Sequence, residues 1–465
     1  MAERADVVVL DRRHRRAMHM RISLLDGWFP ELLRIATVAV VLLTVGWRNR
    51  RWRTRWLPAV VVTAVTGTIL ARAAVPVELS LADPLPVETW VWLAVLLFAA
   101  LMLLVGWRGG RWWRRGLAAL AVPLTASTLA VAVNAEIGYY PTIRDAWLSI
   151  SHAPMPAALD TTQLGTVSPD TSTGRLVAAS IPAIASHFRH RQEFVYLPPA
   201  WFRHPRPHLP VVELIGGVFA APDDWIRAGH AVQTADAYAA QHNGLAPILV
   251  FVDATGDVIT DTECVNGAAG NAEDHLVNDV PDYVTSTFDA AAAPDNWGVL
   301  GWSMGGTCAV DLVVVHPDTF RHFVDISGDL GPNLGSKQDT VAGLFHGDEA
   351  AWAAHDPVTV LARHGAYRAA TGLFISGFGE PTHVRNAAQL ATAARRAGIT
   401  TEVQVFPGEH TWKFAARAFA AALPWLAGQL DSERATTPMK PPTWQSDFRA
   451  GEKQPAGRRM ALRRR

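Results

Sequence analysis

The sequence predicts two unlike parts: an N-terminal α-helical membrane region of about four crossing helices, then an α/β domain with a mostly parallel sheet. Three observations carry this. Four apolar segments precede residue 140. Eight short β-rich runs follow residue 173, with helical stretches between the later ones. Between the two parts, residues 141–173 are dominated by Pro, Ser, Thr and Gly with no apolar period, which reads as a linker. The expected boundaries are a basic segment 1–29, a membrane region 30–140, the linker 141–173, the α/β domain 174–430 and a basic, disordered tail 431–465.

The apolar segments lie near 30–47, 57–74, 88–107 and 117–135. Each approaches the roughly 20 residues that a helix needs to cross the hydrocarbon core. Arg34 and Arg72 sit near segment ends, where long side chains can snorkel. The connecting stretches GWRNRRWRTRW (46–56) and GWRGGRWWRRG (106–116) are dense in Arg and Trp, whereas ELSLADPLPVE (78–88) carries only acidic charge. The positive-inside rule then puts both Arg-rich loops in the cytoplasm and everything after about residue 140 outside. The two loops share Gly-Trp-Arg-x-x-Arg-Trp at a 60-residue offset, through hairpin duplication or through convergence of two cytoplasmic turns. The basic stretch DRRHRRAMHMR (11–21) opposes this topology, and a start at Met18 or Met20 would remove most of that charge.

Composition excludes several function classes. Lys plus Arg and Asp plus Glu number 42 each, so no global field points to nucleic acid. The chain has two cysteines, no CxxC, no HExxH and no phosphate-binding GxxxxGK loop, so no metal or cofactor is expected.

The β-rich runs are GRLVAASIPA, EFVYLPPAW, LPVVELIG, PILVFVD, WGVLGWS, FRHFVDISG, TGLFISG and TEVQVFPG, with helical stretches at 276–292, 304–316, 384–397 and 412–428. Strands alternating with helices imply a mostly parallel sheet covered on both faces. The first two runs, with no helix between them, suit an antiparallel edge.

GVLGWSMGGTC (298–308) reads as a strand, a sharp turn at Ser303 and a helix. A strand–turn–helix with serine at the sharp turn is the pattern of the nucleophile elbow, so an α/β-hydrolase domain is expected. A serine at such a turn is held in strained geometry, and Gly301 and Gly305 leave room where side chains would clash. The helix start at Met304 aims N–H groups at a developing oxyanion. A serine hydroxyl needs a base. His410, in FPGEHTW after the last strand, stands where this fold places one. The acid should lie between them in the chain. Glu380, in GFGEP, is the choice, and Asp329, in ISGDLGP, is the reserve. The second oxyanion donor should follow LPVVELIG. In IGGVFAAPDDW, Gly217 permits close backbone approach and Val218 supplies the N–H, while Asp223 or Asp224 caps the next helix. Cys264 and Cys308 could both sit near this site. A bridge between them would suit an oxidising compartment, and two buried thiols are the alternative.

The pieces FVYLPPAWF, IGGVFAAPDDWIRAG, DTECVNGAAGNAEDHLVNDVPDYV, GWSMGGTCAVDLVVVHPDTF and FPGEHTW together resemble the esterase D-like branch of the α/β-hydrolases over about 175–428. That branch includes the mycolyltransferases that build the envelope of mycolic-acid bacteria. A membrane region ahead of such a domain is similar to actinobacterial membrane-anchored esterases. The resemblance implies Ser303 as nucleophile, His410 as base, Glu380 as acid, and Met304 and Val218 as oxyanion donors. One departure is that the secreted mycolyltransferases carry an acidic residue where this chain has Gly216, which weakens the case for trehalose as acyl donor or acceptor. The expected activity is a membrane-anchored, extracytoplasmic serine esterase acting on acyl esters, with an envelope lipid or glycolipid as substrate and the bilayer as partner. An acyltransferase using the same residues is the first alternative, and a catalytically inactive membrane scaffold is the second.

Overall fold

In a computed structural model of the chain, the described residues are 22–45, 50–78, 86–107, 112–151, 155 and 158–430. Most of the basic N-terminal segment, both Met18 and Met20, parts of each Arg-rich loop and the tail 431–465 lie outside them.

Four apolar helices come first: α1 (Trp28–Val45), α2 (Leu57–Glu78), α3 (Val87–Gly106) and α4 (Trp112–Ile137). A single π-helical turn, Trp52–Trp56, leads into α2. α4 packs against α1 and α3, and α3 against α2. Their mutual contacts are small clusters, Val41 with Ala99 and Ala121, and Trp52 with Val60 and Met102. Large apolar side chains such as Leu42, Val62, Ile69, Leu70 and Leu104 point outward, uncovered by protein. Helices of this length and surface fit membrane insertion.

The segment expected as a linker carries structure. Thr142 and Asp145 form a reciprocal capping box on α5 (Ile143–Ile150), and Asp160 and Gln163 do the same for a 3-10 turn at Thr161–Thr166. Ser23 pairs with Thr142 in a lone bridge, so the chain entering α1 is tied to the chain leaving α4. Strand β1 (Ala158–Leu159) joins the sheet edge.

Eight further strands of the same sheet follow: β2 (Arg175–Ala179), β3 (Glu193–Leu197), β4 (Val211–Ile215), β5 (Ile248–Phe251), β6 (Trp297–Trp302), β7 (His322–Ile326), β8 (Thr371–Gly377) and β9 (Thr400–Phe406), and Asn266–Gly267 pairs with Gly270–Asn271 in a separate small hairpin. With β1 they make one nine-stranded sheet in the order β1-β2-β3-β5-β4-β6-β7-β8-β9. The β2–β3 and β3–β5 pairs are antiparallel and the others parallel. The central strands β4, β5 and β6 are buried at every position, because helices cover both faces. On one face, Val211, Val250, Val299 and Phe323 pack under α7 (Val280–Phe288), α8 (Met304–Val315) and α9 (Pro381–Arg396). On the other, Val212, Leu249, Leu300 and Val324 pack under α6 (Ala231–Gln241) and α10 (Trp412–Leu430). The eight expected strands are all present. Helix α6 and three short helices between Lys337 and Arg363 are additions to that reading.

Candidate active site

Four parallel strands end on the same side of the sheet, and each delivers one part of the site. Ser303 stands between β6 and α8 with φ 60° and ψ −124°, a strained backbone for a residue with a side chain. The Ser303 N–H donates to Ile326 O (2.9 Å) on neighbouring β7, which holds the turn in place. The elbow glycines are sterically required. A Cβ on Gly301 would lie 1.9 Å from Gly305 O, and one on Gly305 would lie 2.3 Å from Ile215 O.

His410 follows β9 and Glu380 follows β8. His410 Nε2 lies 2.8 Å from Ser303 Oγ, and His410 Nδ1 lies 2.5 Å from Glu380 Oε1. The second carboxylate oxygen of Glu380 accepts from Gly377 N–H (2.6 Å) and Ser327 Oγ (2.8 Å). Burial pushes the Glu380 carboxyl up. The hydrogen bond and charge of His410, with His383 and the Ser327 hydroxyl, outweigh this and hold it below the usual carboxylate value. An ionised carboxylate here fixes the tautomer that presents Nε2 as a base to the serine.

Asp329, the reserve acid, is placed elsewhere. It accepts from Asn333 Nδ2 (3.0 Å) and Asn386 Nδ2 (3.2 Å), and its nearest imidazole is His383, 3.9 Å away. His383 in turn stacks on His410, with ring centroids 4.9 Å apart. Trp302 lies 5.0 Å from the His410 ring and Trp412 lies 4.6 Å from Trp302, so the imidazole sits between aromatic walls.

The loop after β4 meets the serine. A Cβ on Gly217 would lie 3.1 Å from Ser303 Cβ and 3.5 Å from Ser303 Oγ, so backbone approaches the serine side chain there. Val218 comes next, and Met304 opens α8, whose first turn is closed by Gly306 and Thr307 N–H groups donating to Ser303 O (2.8 and 3.1 Å). A narrow recess beside Met304 is lined by Gly216, Gly217, Ala220, Asp253 and Thr255. Gly216 has its own steric reason: a Cβ there would lie 2.6 Å from Ala220 Cβ, so an acidic side chain would need a different turn.

Asp223 and Asp224 do not cap a helix. Asp223 makes no capping bond and pairs with Arg227, while Asp224 accepts from Ala221 N–H (2.8 Å) and from Arg227 Nη2 (3.1 Å). The short distance from these carboxylates to a guanidinium wins over the weaker cap. Cys264 and Cys308 are joined, with Cα atoms 5.7 Å apart, which ties the 253–264 loop to α8.

A model of the "Putative esterase" family matches residues 186–426, slightly more than half of the chain. The chain belongs to this esterase family. Its members' chemistry makes the protein a hydrolase or acyltransferase. It is also 31% identical over 411 residues to an uncharacterized protein of Corynebacterium glutamicum, covering 84% of this chain and 93% of the other. Among solved structures it is similar to an S-formylglutathione hydrolase from Agrobacterium tumefaciens, with 16% identity, a TM-score of 0.46, and 56% of this chain and 97% of that one covered. It is likewise similar to MPT51 of Mycobacterium tuberculosis, with 19% identity, a TM-score of 0.42, and 55% and 98% covered.

Two supports of this esterase site escaped the sequence reading. Arg191 donates to Ala220 O (2.8 Å), Thr255 Oγ1 (2.7 Å) and the buried Asp253 carboxylate (2.6 Å), so one guanidinium braces the loop after β4 from beneath. Tyr139 donates from its hydroxyl to Val218 O (2.9 Å). Both hold the loop after β4 by a backbone carbonyl, which carries no side-chain signature.

Proposed function

We propose that the protein is a membrane-anchored serine esterase, with its catalytic domain on the extracytoplasmic side, that cleaves acyl esters of envelope lipids through a Ser303-His410-Glu380 triad. The observation that carries this reading is the unbroken hydrogen-bonded chain from Ser303 Oγ through His410 to buried Glu380, at 2.8 and 2.5 Å. His410 Nε2 takes the proton as Ser303 Oγ bonds to the ester carbonyl carbon. The Met304 and Val218 N–H groups hold the tetrahedral oxyanion. Collapse breaks the ester C–O bond, and His410 returns the proton to the leaving alcohol. Water then attacks the acyl-enzyme by the same route in reverse. An acceptor hydroxyl in place of that water makes the reaction an acyl transfer.

Orientation rests on charge. The described basic residues between α1 and α2 (Arg50, Arg51, Arg53 and Arg55) and at the start of α4 (Arg114 and Arg115) put those ends in the cytoplasm. α4 then runs outward into the catalytic domain, where a joined cysteine pair is at home. Gly216 and the tight turn behind it speak against trehalose as the substrate.

The test is fluorophosphonate labelling of membranes holding the wild-type chain or Ser303→Ala, with protease added outside spheroplasts. The expected result is labelling of a protease-accessible domain that vanishes in the variant, with ester hydrolysis down about 10⁴-fold or more. Product analysis with water and a candidate glycan present separates hydrolysis from transfer. No labelling of folded wild-type protein would sink the triad, and labelling of a protease-resistant domain would invert the topology.

A further inference from the structure

The exit of the last apolar helix is built into the loop that carries the second oxyanion donor. α4 ends at Ile137, and Gly138 turns the chain with φ 85°, its N–H donating to Asn134 O (2.7 Å). The Asn134 side chain holds Tyr140 from both sides, accepting from Tyr140 N–H (2.8 Å) and donating to Tyr140 O (2.9 Å). Gly138 rests on α10, where an added Cβ would be 3.3 Å from Trp412 Cβ. Between these pinned neighbours Tyr139 reaches the catalytic domain. Its ring lies 6.1 Å from that of Trp412, and its hydroxyl donates to Val218 O (2.9 Å).

The accepting carbonyl sits in a turn that needs help. Ala220 N–H donates to Gly217 O (3.1 Å), which closes a four-residue turn over 217–220. Its third residue, Phe219, has φ 68°. A turn with positive φ at that position favours glycine, and a bulky aromatic there is an outlier. The Val218–Phe219 peptide is the one that must be flipped to create this φ. Its carbonyl is the atom Tyr139 holds.

We propose that Tyr139 is a positioning residue for catalysis: its hydroxyl anchors the Val218 carbonyl and the turn that follows, and so pins the Val218 backbone whose own N–H, on the preceding peptide, faces the oxyanion. This rests on the reading of Val218 as an oxyanion donor. It makes the membrane region part of the catalytic apparatus, because the residue that sets the loop is two residues beyond the end of α4. Burial holds the phenol well above the usual tyrosine range, so the donor keeps its proton across the working pH.

The experiment uses the full chain in detergent or nanodiscs, a p-nitrophenyl ester and an alkyl boronic acid that forms a tetrahedral serine adduct. Tyr139→Phe is expected to lower kcat about 10- to 100-fold and to weaken boronate inhibition by a similar factor, with KM held within about twofold. The inhibition constant does not depend on how much of the preparation is folded. In a Phe219→Gly background the same Tyr139→Phe change should cost less than about twofold, because glycine adopts the positive φ unaided. Wild-type kcat in Tyr139→Phe would overturn the proposal. So would an equal loss in both backgrounds, which would mean that Tyr139 acts through packing. A wild-type chain that neither hydrolyses ester nor takes up fluorophosphonate would overturn the esterase reading, and this proposal with it.

Discussion

α3 and α8 are both apolar helices, yet the fold treats them in opposite ways. Eleven of the twelve residues of α8 are buried by the surrounding protein. Only five of the twenty residues of α3 are. Apolarity alone therefore does not tell a core helix from a membrane helix. The difference lies in length and in what covers the surface: α8 finds its cover in the sheet and flanking helices, whereas α1 to α4 leave leucines and valines uncovered by protein, which fits membrane insertion. Polar groups follow the same division. The α/β domain buries linked carboxylates and imidazoles, where each loss strands a partner. Among the apolar helices, Arg34 pairs with Glu88 where both stay partly exposed, and the buried link between Thr37 and Thr128 joins two hydroxyls, where a loss strands little. This contrast ranks the expected effects of substitutions.

The largest effect is expected at Glu380, the acid of the proposed triad. Glu380→Gln should lower kcat/KM by about 10³-fold or more, because the amide cannot hold the imidazole in the required tautomer or stabilise its charged form. Asp329→Asn should change kcat/KM by less than about fivefold, since Asp329 binds Asn333 and Asn386 and lies outside hydrogen-bond reach of His410. Steady-state hydrolysis of a short-chain ester by the full chain measures both, with membrane retention unchanged in either variant. A collapse in Asp329→Asn with a mild Glu380→Gln would reverse the assignment.

How much of this was legible depends on what each signal is made of. The buried strands announce themselves as apolar runs, so all eight expected strands are found, and GWSMG marks its turn through two glycines whose missing Cβ atoms the geometry demands. His410 and Glu380 follow from chain order and strand ends. The 141–173 segment was less legible because its elements are stabilised locally, by capping boxes at Thr142 and Asp160, and α5 turns Trp147 and Ile150 outward instead of into a core. Its apolar residues therefore make no interior stripe to recognise. Arg191 and Tyr139 were invisible for a deeper reason. Tyr139 binds a backbone carbonyl, which no residue type marks, and Arg191 reaches Ala220 O together with Asp253 and Thr255, all far away in the chain, so the spacing to these partners follows no local pattern.

A second, smaller effect tests the buried networks of the α/β domain away from the triad. His275 is fully buried, with Nε2 3.0 Å from Glu193 Oε1, Nδ1 3.4 Å from Asp279 Oδ2 and its ring stacked 4.4 Å from that of His190. Burial lowers the imidazole pKa, but the hydrogen bonds and charges of Glu193 and Asp279 outweigh it and hold His275 above its ordinary 6.5. A raised folded value means that the charged ring's stabilisation is complete below about 6.5 and is lost as pH rises through the folded value. His275→Gln should therefore cost about 3 kcal/mol near pH 6, and the gap to wild type should narrow as pH rises through the raised folded value. Thermal unfolding across that range measures it. A gap independent of pH would mean that the ring is neutral in the folded protein.

The smallest effect lies among the apolar helices. Thr37 on α1 and Thr128 on α4 share a buried hydrogen bond of 2.6 Å. Thr128 Oγ1 already donates to Leu124 O (2.9 Å), and a hydroxyl has one proton, so Thr37 is the donor. Thr37→Val replaces that donor with a methyl group of similar shape and leaves Thr128 still bonded to Leu124. The expected loss is about 0.6 kcal/mol in bicelle unfolding, with kcat/KM unchanged. The same kind of bond in the α/β domain should behave differently. Ser186 donates to Asp279 Oδ2 (2.5 Å), and Ser186→Ala takes a partner from a buried carboxylate that also serves His275, for about 2 kcal/mol. Similar losses in the two variants would break the contrast between the regions, because a hydroxyl would then have the same worth whether a buried charge or a hydroxyl that keeps its own bond loses it.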